Sequence, residues 1–133
     1  MHSIYKGELL LKDRSIISPY ELDIYIPGHR LAIEYNGLFY HSERFKENNY
    51  HRTKTEMCMS AGVRLIHIYD DDWLFKKSII KSVISSSLGV YRQKIGARGL
   101  SVGNIEDTLV VRKFLDENHV QGFAPYSLCM LLS

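Results

Sequence analysis

Four polar residues stand in or beside two short apolar segments of this chain. Asp23 lies in the first segment, Glu34 and Asn36 lie in the second, and His41 follows five residues later. Carboxylates are hard oxygen ligands that suit Mg²⁺, which binds one or two of them together with water and phosphate. Such a metal polarises a phosphate ester and activates a bound water, and an imidazole transfers protons near neutral pH. The spacing therefore predicts a hydrolytic site in which Asp23 and Glu34 bind Mg²⁺, or Mn²⁺ in its place, and His41 transfers protons.

The two apolar segments alternate with polar residues, as strands with one face in a core do. Residues 21–26 and 30–36 show this alternation, and the Pro-Gly-His sequence at 27–29 predicts a tight turn between them. The resulting hairpin brings Asp23 and Glu34 together on the face away from the core. Acidic residues on an outer face are most often solvated. Because β-propensity disfavours Glu in an apolar neighbourhood, both interpretations stay open: a functional pair and a solvated one.

The segments after the hairpin predict the rest of the fold. Residues 44–61 are polar, rich in helix formers and free of Gly and Pro, which predicts a helix that ends at Gly62. Residues 63–69 predict a third strand, which returns beside the hairpin. Residues 70–88 predict a second helix, which Gly89 ends. This order predicts an α/β fold with a mixed β-sheet flanked by helices.

These residues also carry a resemblance to a known group of nucleases. Asp23, ten intervening residues and then Glu34-Tyr35-Asn36 are similar to the PD-(D/E)xK nuclease core, with Asn36 at the position of the usual lysine. Over about residues 14–100, the chain resembles Hef-like homing endonucleases of bacteriophages and, more distantly, the very-short-patch-repair endonuclease. The segments that carry this resemblance are 21–27, 32–43, 50–51, 54–56 and 64–69. The resemblance implies a restriction-endonuclease-like core that hydrolyses double-stranded DNA with Mg²⁺, in the cytoplasm of a phage-infected bacterial cell.

The resemblance implies roles for individual residues. It places the metal-binding Asp at Asp23, the Glu of the motif at Glu34, and the catalytic His at His41, after an aromatic residue. Repair-type relatives carry an acidic residue on the following helix, and the corresponding position here is His51. Some relatives supply the catalytic lysine from this helix, where Lys54 would stabilise charge on the phosphate as a point cation. Without the resemblance, a solvated helix lysine is the simpler interpretation of Lys54.

Basic residues near the predicted site suit DNA contact. Arg44, Lys46 and Arg52 lie close together with aromatic residues between them, a composition that suits phosphate contacts and some base stacking. These three residues and Asn36 are predicted to bind DNA. A solvated helix whose aromatic residues pack inward is the structural alternative. Two further histidines, one in the predicted turn and one in a core strand, are assigned structural roles: His29 and His67.

The composition excludes several classes of protein. The chain has 17 Lys and Arg against 15 Asp and Glu, a formal charge of +2, and 45% hydrophobic residues, as globular domains do. Its apolar runs are shorter than the ~18–20 residues of a membrane span, and its N-terminal segment lacks the order of a signal peptide. Two cysteines are too few for a disulfide framework. The composition therefore predicts a protein of a reducing compartment, without a membrane partner.

The resemblance also predicts the domain organisation. Residues 1–100 are the expected nuclease domain, without the family's N-terminal helix, and residues 101–133 are the expected beginning of a second domain, with a helix near 104–119. An alternative function is that of a DNA-binding remnant that has lost cleavage. A small-molecule enzyme is a third possibility, although no cofactor-binding glycine motif is present. Cutting both strands of a duplex commonly needs two active sites, so a homodimer is also considered.

Overall fold

A computed structural model describes residues 4–37, 44–91, 93–125 and 130–132 of the chain. The chain divides into two compact units, Met1–Phe75 and Lys76–Ser133. In the first unit the elements are β1 (Leu10–Asp13), β2 (Leu22–Ile26), β3 (Leu31–Asn36), α1 (Arg44–Ser60), β4 (Arg64–Tyr69) and α2 (Asp70–Phe75). In the second unit they are α3 (Lys77–Ser87), β5 (Val102–Asn104), α4 (Thr108–Asn118) and β6 (Met130–Leu132). The predicted domain boundary at residue 100 concerns family domains and stays a prediction.

The first unit is built on a four-stranded mixed sheet of order β1-β2-β3-β4. β1, β2 and β3 are antiparallel neighbours, whereas β4 runs parallel to β3. A parallel neighbour requires a crossover connection, and α1 lies in that connection. The predicted hairpin, the returning strand and the α/β class are thereby confirmed. β1 was not predicted, because Leu9-Leu10-Leu11 shows no alternation with polar residues.

α1 packs against one face of the sheet. The buried cluster there contains Tyr25 of β2, Ala32 of β3 and Cys58 of α1. By alternation, Glu34 and Asn36 point to the same face as Ala32, and both are buried. The prediction that Asp23 and Glu34 come together on the face away from the core is therefore wrong about the face, because α1 covers that side of β3.

On the opposite face of β3, burial differs from the prediction near the C-terminal end of the strand. Leu31 and Ile33 are buried there, as predicted, but Tyr35 is 50% exposed. The Tyr35 hydroxyl donates a hydrogen bond to the Asp70 carboxylate at the start of α2. This hydrogen bond raises the pKa of Tyr35, since it stabilises the neutral phenol.

Gly62 ends α1, as predicted. Its φ of +72° lies in the left-handed region, which favours glycine. The Gly62 amide donates to the Met59 carbonyl at 3.0 Å, and the Val63 amide donates to the Cys58 carbonyl at 2.8 Å. These bonds satisfy carbonyls at the helix end and turn the chain into β4.

The chain after β4 differs from the prediction at three points. The helix predicted over residues 70–88 is interrupted at Lys76, whose φ of −130° is not helical. α4 begins at Thr108 and not near residue 104, because the Asp107 carboxylate is itself the N-cap and accepts from the amides of Leu109 and Val110. Val102–Asn104, for which no strand was predicted, forms β5 and pairs with β6.

Candidate functional site

Asp23 and Glu34 are neighbours on the α1 side of the sheet. Ile24 is the register partner of Ile33, so the next pair of the antiparallel register is Asp23 and Glu34. The Asp23 amide donates to Glu34 Oε2 at 3.4 Å, and the Tyr35 amide donates to Asp23 Oδ2 at 2.9 Å. The structure thus brings the two predicted metal ligands together and fixes each carboxylate with a backbone hydrogen bond.

Lys54 reaches this carboxylate pair from α1. Its Nζ atom forms an ion pair and hydrogen bond with Glu34 Oε1. Lys54 is 1% exposed and Glu34 is 6% exposed. Because burial of an unpaired charge is very costly, each of these residues requires the other. Lys54 is therefore not a solvated helix lysine.

A hydrogen-bond network beside Glu34 connects β3 and β4 with α1. His67 of β4 is the register partner of Glu34. Its Nδ1 atom lies 3.1 Å from Asn36 Nδ2, and its Nε2 atom lies 2.9 Å from Thr55 Oγ1. Thr55 Oγ1 in turn donates to the His51 carbonyl at 2.9 Å. Polar groups of β3, β4 and α1 are thus joined next to the carboxylate pair.

Aromatic rings extend from this network along α1. The ring centroids of His51 and His67 lie 5.3 Å apart, those of Tyr50 and His51 lie 5.7 Å apart, and those of Tyr20 and Tyr50 lie 5.4 Å apart, all in edge-to-face geometry. Lys54 Nζ lies 5.2 Å from the centroid of the Tyr50 ring. His51, predicted from its place in the resembled pattern, therefore lies against the rings of His67 and Tyr50.

The electrostatics of the site follow from burial and from its cations. Burial lowers the pKa of His67 below its usual 6.5, and the neighbouring His51 and Lys54 lower it further, so the imidazole favours its neutral form. Burial raises the pKa of the Cys58 thiol, which keeps it protonated. Among the described residues of the site, Asp23 and Glu34 supply two carboxylates and Lys54 supplies one ammonium.

The other predicted residues lie in different surroundings. Arg52 is exposed on α1 and pairs with Glu56 one turn later at 2.8 Å. Asn36 is 5% exposed and is engaged with His67, and its predicted DNA contact stays a prediction. His41 lies outside the described residues, as do the side chains of Arg44 and Lys46.

His67 and Thr55 were missed as members of the site. His67 was assigned a structural role because a histidine within an apolar strand carries no local sign of a partner. A signal does exist in the register: β4 returns parallel to β3, so a histidine in the middle of β4 falls beside the middle of β3, where Glu34 lies. Thr55 follows His51 by four residues, which is the spacing of a hydroxyl that bonds the preceding helical turn.

The two predicted metal ligands at this place are carboxylates, the type of group that binds Mg²⁺. Among the described residues, no group of three or more His, Cys, Asp or Glu side chains is arranged to hold a metal. Mg²⁺ does not need such a group, since it keeps several waters and binds one or two carboxylates. Asp23 is partly exposed, so water has access to its carboxylate. Asp23 and Glu34 therefore suit Mg²⁺ better than Zn²⁺, which takes three or four protein ligands.

No family model, curated protein or solved structure matches this chain. Over the part of the chain that the structure describes, no helix is long and apolar enough to cross a membrane.

Proposed function

We propose that this chain contains a Mg²⁺-dependent DNA endonuclease domain with a restriction-endonuclease-like core. The observation that carries the proposal is the meeting of Asp23, Glu34 and Lys54, which come from β2, β3 and α1. Two carboxylates and a lysine are the residue types that the resemblance implies for this core, and here the lysine comes from the helix. The mixed sheet with α1 in its crossover supports the same core.

The substrate follows from the same chemistry. A phosphodiester carries negative charge that a cation beside two carboxylates can neutralise. We take double-stranded DNA as the substrate, the cytoplasm of a phage-infected bacterium as the location, and a homodimer as the arrangement that would cut both strands. Mn²⁺, which accepts the same oxygen ligands, is expected to replace Mg²⁺.

Each residue of the site has a proposed task. Asp23 and Glu34 would hold the metal, which when bound polarises the scissile phosphate and lowers the pKa of a water molecule. Glu34 also keeps the Lys54 ammonium in one position, so that this charge is in place before negative charge develops on the phosphate. His41 remains the predicted group for proton transfer. Backbone donors to both carboxylates limit their movement during these events.

Cleavage of a supercoiled plasmid tests this proposal. We expect nicking in Mg²⁺ or Mn²⁺ and none in EDTA. Asp23→Asn should lower the rate at least about 100-fold, since loss of even an outer-sphere partner of a metal costs about 10–100-fold. Asp71→Asn, an equivalent change at an exposed position of α2, is the matched control and should cut at the wild-type rate. An intact plasmid with every divalent metal, or normal cutting by Asp23→Asn, would show that the proposal is wrong.

A DNA-binding remnant without cleavage is a second candidate. The burial of the Glu34–Lys54 pair favours it, because a buried ion pair of this kind also serves as a fixed element of the fold. A remnant would bind DNA in EDTA with an affinity that falls steeply with salt, since phosphate contacts release counterions. Binding in EDTA without any metal-dependent nicking would support the remnant, and nicking would exclude it.

A further inference from the structure

The hydrogen bonds around His67 determine which ring nitrogen carries its proton. The Thr55 hydroxyl has one proton, and it donates that proton to the His51 carbonyl. Thr55 Oγ1 must therefore accept from His67 Nε2, which lies 2.9 Å away. Nδ1 then has a free lone pair and accepts from Asn36 Nδ2 at 3.1 Å. His67 is thus a neutral imidazole protonated at Nε2.

We propose that His67 is a positioning residue for Lys54, because it joins Thr55 of α1 to Asn36 of β3 and so fixes the helical turn that holds the Lys54 ammonium against Glu34. Lys54 and Thr55 are adjacent in α1, so a restraint on Thr55 is a restraint on the backbone of Lys54. His67 is the register partner of Glu34, so the strand that positions the restraint also borders the carboxylate. The catalytic consequence of this restraint rests on the proposed nuclease function.

Directional contacts distinguish this role from packing alone. Nearer the C-terminus of α1, Cys58 packs into an apolar cluster with Tyr25, Ala32 and Val63. Such contacts are non-directional and tolerate small shifts of a helix along a sheet. The hydrogen bonds from His67 to Asn36 and Thr55 do not tolerate such shifts, because hydrogen bonds weaken steeply with distance and angle. Loss of the Thr55 bond should therefore let Lys54 move relative to Glu34 while the fold persists.

The chain offers a matched pair of threonines for the test. Thr53 and Thr55 both flank Lys54, and each hydroxyl bonds the carbonyl four residues earlier, at 2.8 Å and 2.9 Å. Thr53 is exposed, whereas Thr55 also contacts His67. Thr55→Val removes the contact with His67, Thr53→Val is the control for the helix itself, and Thr55→Ser retains the hydroxyl.

The first measurement is a double-mutant cycle in urea, which does not depend on cleavage. Lys54→Met should lower the free energy of unfolding less in the Thr55→Val protein than in the wild type, since contacting residues couple. The difference between the two effects should correspond to a factor of about five or more in the unfolding equilibrium constant. The effects of Lys54→Met and Thr53→Val should add. Equal coupling at both threonines, or none at Thr55, would overturn the proposal. Nitrogen-15 NMR of His67 gives the second check: a proton on Nε2 alone is expected, and a proton on Nδ1 would overturn it.

Kinetics then test the consequence for catalysis. Thr55→Val should lower kcat for plasmid nicking about tenfold or more with little change in KM for DNA, because a small misplacement of a catalytic group is costly. Thr55→Ser should restore the rate, and Thr53→Val should not change it. His67→Gln, which can still donate toward Thr55, should cut faster than His67→Asn, which is too short. If the wild type cuts and Thr55→Val cuts equally fast, the positioning role is overturned. If the wild type does not cut, the nuclease function is refuted, and the double-mutant cycle and the NMR measurement decide the positioning role.

Discussion

Among the described residues, Arg52 and Lys54 of helix α1 each form an ion pair, and the surroundings of the two pairs differ completely. Lys54 pairs with Glu34 of β3, and both side chains are buried. Arg52 pairs with Glu56 of the same helix, and both side chains are exposed. Water can replace the partner of an exposed charge, but nothing replaces the partner of a buried one. The side of the helix on which a charge lies therefore decides whether its partner is essential to the fold.

The difference also separates the candidate site from the general surface of the helix. The buried side of α1 presents Lys54 and Thr55 to Glu34 and His67, in contacts that connect different elements. The exposed Arg52–Glu56 pair lies within one helix. A charge that is buried at a cost and held by several elements suggests a task beyond stability, whereas the exposed pair needs no such explanation.

The largest expected effect is the loss of the buried cation. Lys54→Met leaves Glu34 buried without a counter-charge, which should lower the free energy of unfolding by about 3–5 kcal/mol. Urea denaturation followed by circular dichroism measures this change. Lys54→Met combined with Glu34→Gln should recover part of the loss, because the unpaired charge is then removed. A loss below about 1 kcal/mol for Lys54→Met would contradict the burial of the pair.

An intermediate effect is expected from the pH dependence of stability. The pKa of His67 is lowered in the folded chain, so between that pKa and about 6.5 the unfolded chain binds more protons. The free energy of unfolding should therefore decrease as pH falls below about 6.5. Urea denaturation in EDTA at pH 7.5 and at pH 5.5 measures this decrease. The free energy of unfolding should decrease less in His67→Gln than in the wild type. An identical decrease in both proteins would mean that His67 does not titrate as the fold requires.

The smallest effect is expected on the exposed side of the helix. In the folded chain the hydrogen bond to Glu56 raises the pKa of Arg52, but solvent surrounds both groups. Arg52→Met should leave the midpoint of urea denaturation close to that of the wild type, in contrast to Lys54→Met. If both substitutions shift the midpoint equally, the distinction between the two sides of α1 is lost. The same variant should weaken DNA binding if Arg52 contacts phosphates, as predicted.

The sequence predicted elements whose signals are local. Alternation predicted β2 and β3, helix formers without Gly or Pro predicted α1, and Gly62 marked its end. β1 was missed because consecutive leucines show no alternation. The start of α4 was predicted near residue 104, but Asp107 is the N-cap and the helix begins at Thr108. Elements whose signals come from neighbouring residues in the sequence were therefore largely predicted.

The candidate site depends on contacts between distant residues, which local patterns do not reveal. Alternation showed that Asp23 and Glu34 share a face, but it did not show that α1 covers that face. The partner of Lys54 lies twenty residues earlier in the chain, and the partners of His67 lie on two other elements. Lys54 was identified through the resemblance. His67 also lies in a resembled segment, 64–69, but the resemblance implies no role for it, so it was assigned a structural one.

Calorimetric titration of the protein with Mg²⁺ measures whether Asp23 and Glu34 bind a metal, on which the proposed function depends. We expect binding of Mg²⁺ to the wild type and to Asp71→Asn, and loss of that binding in Asp23→Asn. Asp71→Asn is also the control for Mg²⁺ binding at the acidic start of α2. A wild type that binds no Mg²⁺, or an Asp23→Asn protein that binds it as the wild type does, would show that Asp23 and Glu34 are not a metal site.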